Sequence, residues 1–176
     1  MPRRRESFNT SIPWGLYFSD AAVGLPTGWT AVTMPFVSVG DGVAVHSAQV
    51  DLQAHAGLIA PWWRWRCRFR FTSTTDVGEF IKMYICGADD TDSSEIDGDF
   101  DAAADTTITE ADLANCDNFA NVNTTQQVDC IQSGLVRIAD RYITLGMLND
   151  TECETFDGDS EDSFFKMWPD TSIETP

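Results

Sequence analysis

The chain has 176 residues, 43% of them hydrophobic and 11% aromatic, enough for one folded domain with a real core and too many for a disordered polypeptide. Its net charge of −17 disfavours non-specific binding to nucleic acid, whose phosphates need positive partners. No run approaches the roughly 18 apolar residues of a membrane-spanning helix, and MPRRRESFNTSIPW has no apolar stretch behind its arginines, so it does not read as a secretory signal.

The charge is unevenly spread. Residues 1–70 carry seven arginines and four acids, whereas residues 71–176 carry four basic and 24 acidic side chains. Residues 1–12, with Arg3, Arg4 and Arg5, have no periodicity and read as an extended N-terminal arm; residues 13–176 read as a single domain. A first strand is expected at WGLYFSD, then turn punctuation at Gly24, Pro26 and Gly28. WTAVTMPFVSVGDG reads as a strand followed by an Asp41-Gly42 turn. VAVHSAQVDLQAH continues the alternation, with Val43 and Val45, then Val50 and Leu52, against polar neighbours. A loop from Gly57 to Pro61 follows.

WWRWRCRFRF, Trp62 to Phe71, alternates without a break. Trp63, Trp65, Cys67, Phe69 and Phe71 share one side; Trp62, Arg64, Arg66, Arg68 and Arg70 share the other. EFIKMYICGADD is apolar on both faces, as in a strand covered on each side. An acidic loop spans Ala88 to Asp105. A short helix is expected near 109–121, with Thr109 and Asp112, or Thr107 and Glu110, as its capping box, and Leu113, Cys116 and Phe119 on one face. Three strands follow in QQVDCIQSGLVRIA, RYITLGMLND and DSFFKMW. About eight strands separated by turns, with little helix, predict an all-β fold, an antiparallel β-sandwich of jelly-roll type.

Motifs for chemistry are few. His46 and His55 stand outside any HExxH or Ser/His/Asp pattern, and carboxylate pairs carry no information in a chain with 28 acids, so the expectation is no enzyme, no catalytic residue and no cofactor. DDTDSSEIDGDFDAAAD has the composition of a calcium loop, but with Gly98 at the sixth position Ser93 and Ala104 fall at the first and twelfth, so no metal ligand is assigned. Five cysteines, widely spaced and without CxxC, are expected to be free thiols of a protein made in a reducing cytoplasm, Cys67 and Cys86 packing as small hydrophobes. The six tryptophans raise sugar stacking as an alternative, with Trp62 the candidate for exposure.

Four like charges along one strand repel unless carboxylates oppose them. Either this chain supplies those, Asp51 among them, or another polypeptide does, engaged by bidentate guanidinium forks.

The order of WGLYFSDAAVGLPTGWT, VGDGVAV, the Trp/Arg strand, VGEFIKMYICGADD, GLVRIADRYITLGMLND and FFKMWPDTSIE resembles structural proteins of tailed bacteriophages. Within these it is most similar to small virion proteins of marine phages that decorate or cement the capsid, and the likeness spans roughly Trp14 to Glu174. The resemblance implies a jelly-roll sandwich, synthesised in the host cytoplasm, that binds the outer capsid surface and locks neighbouring major capsid subunits. It implies self-association, a trimer included, with no nucleic acid or membrane partner. Arg3, Arg4, Arg5, Trp62, Arg64, Arg66, Arg68 and Arg70 are the residues expected to meet the capsid or a neighbouring subunit. Related sandwiches occur in tails, so a tail or fibre module that binds host-surface glycans is the alternative.

Overall fold

The computed structural model describes residues 14–20, 25, 27–56, 61–88, 105–125, 128–155 and 163–170. Arg3, Arg4 and Arg5 and the acidic loop around Gly98 lie outside them. The strands are β1 (Gly15–Ser19), β2 (Trp29–Thr33), β3 (Ala44–His46), β4 (Val50–Asp51), β5 (Trp62–Arg70), β6 (Phe80–Ala88), β7 (Asp105–Ile108), β8 (Asp117–Asn123), β9 (Asp129–Arg137), β10 (Tyr142–Asp150) and β11 (Phe164–Pro169). The described residues also include a short helix α1 (Leu52–Ala56) and a 3-10 turn (Glu110–Leu113).

The strands form two sheets in the orders β2-β1-β11-β5-β9 and β7-β3-β10-β6-β8, with β4 also on β10. The wiring is that of a long hairpin folded over itself. β1 pairs with β11, β3 and β4 with β10, β5 with β9, and β6 with β8, all antiparallel. Early strands thus meet late strands in reverse order, and each pair lands in one of two sheets. That is the jelly-roll sandwich, the expected all-β class. β2 departs from the antiparallel rule and runs parallel to β1 at the sheet edge.

Period-two alternation builds the core between the sheets. Trp63, Trp65, Cys67 and Phe69 of β5 are buried with Leu16 and Phe18 of β1 and Phe165 and Met167 of β11. Ile81, Met83 and Ile85 of β6 and Ile143, Leu145 and Met147 of β10 belong to the same cluster. Each large side chain removed from water here is worth about 1.5–3 kcal/mol. β6 is covered on its other face too. Tyr84, Cys86 and Ala88 join Tyr142, Leu148, Ile108 and Leu113 in a second cluster outside that sheet.

Two local expectations change. The helix near 109–121 shortens to the 3-10 turn. Thr109 does begin it, its N–H and hydroxyl both reaching the Asp112 carboxylate, at 2.6 and 2.8 Å. Past Leu113, however, Asn-Phe-Ala-Asn-Val-Asn alternates at period two, burying Ala120 and Val122 and exposing Asn121 and Asn123, and the segment continues as β8. Conversely, the strand expected through Leu52 ends at Asp51. The Asp51 Oδ1 accepts the N–H groups of Gln53 and Ala54, at 2.9 and 3.2 Å, and so caps α1.

Cys86 and Cys116 are not free thiols; they form a disulfide. β8 pairs antiparallel with β6, Ile85 opposite Asp117, which brings the residue before β8 beside Cys86. Cys67, Cys130 and Cys153 are free and buried. Burial pushes the Cys130 thiol up to about 11, and that of Cys67 higher still, so neither offers a thiolate near neutral pH.

Candidate interaction face

The outer face of the β2-β1-β11-β5-β9 sheet carries the arginine row. Because directly opposed residues share a face, the register reads across it. Arg64 lies between Trp168 and Leu135, Arg66 between Lys166 and Ser133, and Arg68 between Phe164 and Ile131. Arg70 lies opposite Asp129. Trp62, half-buried, sits at the strand start opposite Arg137. The structure therefore gathers Trp62, Arg64, Arg66, Arg68 and Arg70 on one surface.

Two of the opposing carboxylates belong to this chain. Arg68 grips Asp129 with both Nε and NH2, at 2.9 and 2.6 Å. Arg64 Nε lies 3.2 Å from the Asp170 carboxylate, whose side chain is 3% exposed against 51% for Arg64. The expected partner Asp51 is not here. It lies on β4 in the other sheet and binds Arg141 in the same two-pronged way, at 3.0 and 2.7 Å. That pairing holds the Asp51 carboxyl down at about 2.

Between arginines and β1 the face is aromatic. The Tyr17 and Phe164 rings stack at 5.4 Å, and Lys166 Nζ lies 5.3 Å from the Phe164 centroid, a cation–π contact of a nearly buried ammonium. Toward the strand start, Trp29 and Trp168 approach to 6.3 Å between centroids, both half-buried. They meet because residue 15 is glycine. A Cβ there would come within 2.8 Å of both the Trp29 ring and the Met167 carbonyl. On the other flank β9 exposes Ile131 and Leu135, 52% and 43% accessible. The face thus mixes guanidinium groups with apolar side chains, the composition favoured at protein interfaces.

The sequence reading missed Trp29, Trp168, Asp170, Ile131 and Leu135. The signal for the last two was available, since Asp129, Ile131, Ser133, Leu135 and Arg137 alternate with buried Cys130 and Val136.

Several other chemistry-bearing groups have structural partners. His46 is buried, its Nδ1 2.9 Å from the Ser47 carbonyl; His55 lies on α1. Asp76, Glu79 and Glu152 bring carboxylate oxygens within 4.8 Å of one another. Glu79 accepts the N–H groups of Asp76 and Glu152, at 2.9 and 3.0 Å, and so ties two loops together. Among the described residues no helix is long and apolar enough to cross a membrane.

No protein-family model and no curated protein sequence matches the chain.

Proposed function

We propose that the protein is a non-enzymatic structural component of a phage virion, bound to the outside of the capsid and stabilising it. The observation that carries this reading is the outer face of β5 and β9, where Arg64, Arg66 and Arg68 stand in register with exposed Leu135, Ser133 and Ile131. Guanidinium groups beside exposed aliphatic side chains suit a protein surface bearing carboxylates and apolar patches. The jelly-roll wiring is in keeping with it, because capsid proteins use that scaffold, although lectins do too. The resemblance to decoration proteins adds the location, and the net charge of −17 would keep coated particles dispersed.

Position in the row singles out the arginine to test. Arg64 and Arg68 are partly neutralised by Asp170 and Asp129. Arg66 stands at the middle of the row, in register with Lys166 on one side and exposed Ser133 on the other. Arg66→Glu should therefore reduce occupancy on particles while leaving the unfolding temperature of the isolated protein within a few degrees. Full occupancy by this variant would end the interface reading. Particles lacking the protein should assemble and then break at lower temperature.

A second reading rests on Trp29 and Trp168. Two half-buried indoles beside the Arg64–Asp170 pair are a surface on which a sugar ring can stack and hydrogen-bond, as in an adsorption module of a tail or fibre. A glycan array probed with folded protein tests it. Binding abolished by Trp168→Ala would favour this reading over the capsid, and a blank array would remove it.

A further inference from the structure

β9 ends its sheet, with no strand beyond it among the described residues. Two bonds that bracket it fix which backbone groups face out. Phe71 N–H donates to the Val128 carbonyl at 2.9 Å, and Ile138 N–H donates to the Pro61 carbonyl at 3.1 Å. In an antiparallel ladder alternate residues bond to a given neighbour. The even-numbered residues of β9 thus face β5, and the N–H and C=O groups of Asp129, Ile131, Ser133, Leu135 and Arg137 point away from it. All five are exposed, and their side chains share the arginine face.

Exposed edges in native proteins are usually short or broken by proline, lysine or a bulge, because an open ladder recruits another strand. β9 has none of these protections. It is nine residues long, pairs with β5 in unbroken register, contains neither proline nor lysine, and exposes two aliphatic side chains.

Its sequence also complements itself. Turned end for end about Ser133, the strand sets Asp129 against Arg137 and Ile131 against Leu135, opposite charges at the ends and apolar pairs inside. A two-fold axis through any residue of the strand keeps the ladder in phase, but one at Gln132 would oppose Asp129 to Leu135, and one at Gly134 would oppose Ile131 to Arg137. Moving it to Ile131 would oppose Asp129 to Ser133, and moving it to Leu135 would oppose Ser133 to Arg137, losing the charge match in both cases.

We propose that β9 pairs antiparallel with β9 of a second copy of this chain, about a two-fold axis through Ser133. The two five-stranded sheets become one ten-stranded sheet joined by about ten inter-strand hydrogen bonds. Opposite-charge and aliphatic pairs directly across an antiparallel ladder stabilise it. Asp129 keeps Arg68, since a carboxylate has about four lone-pair sites. Both arginine rows then lie on one continuous face, doubling its positive charge.

Sedimentation of the purified chain at about 0.15 M salt tests the proposal, because repulsion between the two acidic copies is largely screened there. The expected species has twice the chain mass. Ser133→Pro removes an N–H that points away from β5, so the fold should survive and the dimer should weaken by about tenfold or more. Ile131→Lys combined with Leu135→Lys, both at exposed positions, should do the same with an unchanged circular dichroism spectrum. A monomeric wild type, or a dimer that persists in both variants, would overturn the proposal. These measurements use isolated protein, so their failure would leave the capsid reading untouched, and loss of particle binding by Arg66→Glu would leave the dimer untouched.

Discussion

Arg68 and Asp129 are joined by two parallel hydrogen bonds, Nε to Oδ1 and NH2 to Oδ2, across the β5–β9 ladder. They are not the directly opposed pair, since Arg68 faces Ile131 and Asp129 faces Arg70. The guanidinium reaches diagonally across the ladder to the carboxylate that stands opposite Arg70. A double-mutant cycle of Arg68→Ala and Asp129→Ala in urea should give a coupling of about 0.5–1 kcal/mol, because both groups are partly exposed and screened. That coupling should shrink in high salt.

The Asp51 carboxylate does two jobs, capping α1 and binding Arg141. Its folded pKa, about 2, lies below the ordinary 3.8. A depressed carboxylate stabilises the fold fully above the unfolded pKa, and that contribution is lost as pH falls from about 4 through the folded value. Asp51→Asn should keep part of the cap and lose the ion pair, costing about 0.5–1 kcal/mol at pH 7 for so exposed a group. The cost should be much smaller near pH 2, where the folded carboxylate is itself half protonated, as read from urea midpoints at both pH values.

Much of the sandwich was legible because its strands obey one rule. β5, β6 and β10 lie where alternation or two-sided apolarity placed them, and Thr109 and Asp112 do form the expected cap. What failed was short-range ambiguity. Leu113, Cys116 and Phe119 satisfy a helical spacing, yet the pairing of β8 with β6 decided the outcome after a single turn. The same pairing created the Cys86–Cys116 disulfide, whose partners are far apart in sequence and adjacent only in the fold. The arginine face was half legible. Its positive side followed from residues 62–71, but Asp170, Trp29 and Ile131 arrive from three other strands or their ends, and no local pattern links them to β5.

That disulfide closes a loop across 30 residues and pins the 3-10 turn over the outer face of β10. By loop-closure entropy it is worth roughly 3–4 kcal/mol, an upper figure wherever the reduced chain keeps residual order. Reduction, or Cys86→Ala with Cys116→Ala, should therefore lower the urea midpoint substantially. Amide exchange should rise first at Glu110–Leu113 and along β8, while β5 and β11 stay protected. Uniform loss of protection across both sheets would mean that the bond supports the whole sandwich and not this cover alone.

Two glycines should respond differently to the same added methyl group. At Gly146 a Cβ would meet Leu113 Cδ2 at 2.6 Å, the tip of a side chain that can rotate aside. At Gly15 it would meet the Met167 carbonyl oxygen at 2.8 Å and the Trp29 ring at 2.8 Å, and the carbonyl belongs to the strand paired with β1. Overpacking against backbone costs about 1–3 kcal/mol, so Gly15→Ala should destabilise by that amount and Gly146→Ala by less. Only Gly15→Ala should also push Trp29 away from Trp168, changing tryptophan emission in the folded state. If the cost of Gly146→Ala is removed by adding Leu113→Ala, while that of Gly15→Ala persists after Trp29→Ala, then the Met167 carbonyl sets the limit at residue 15. Full rescue by Trp29→Ala would place that limit on the indole instead.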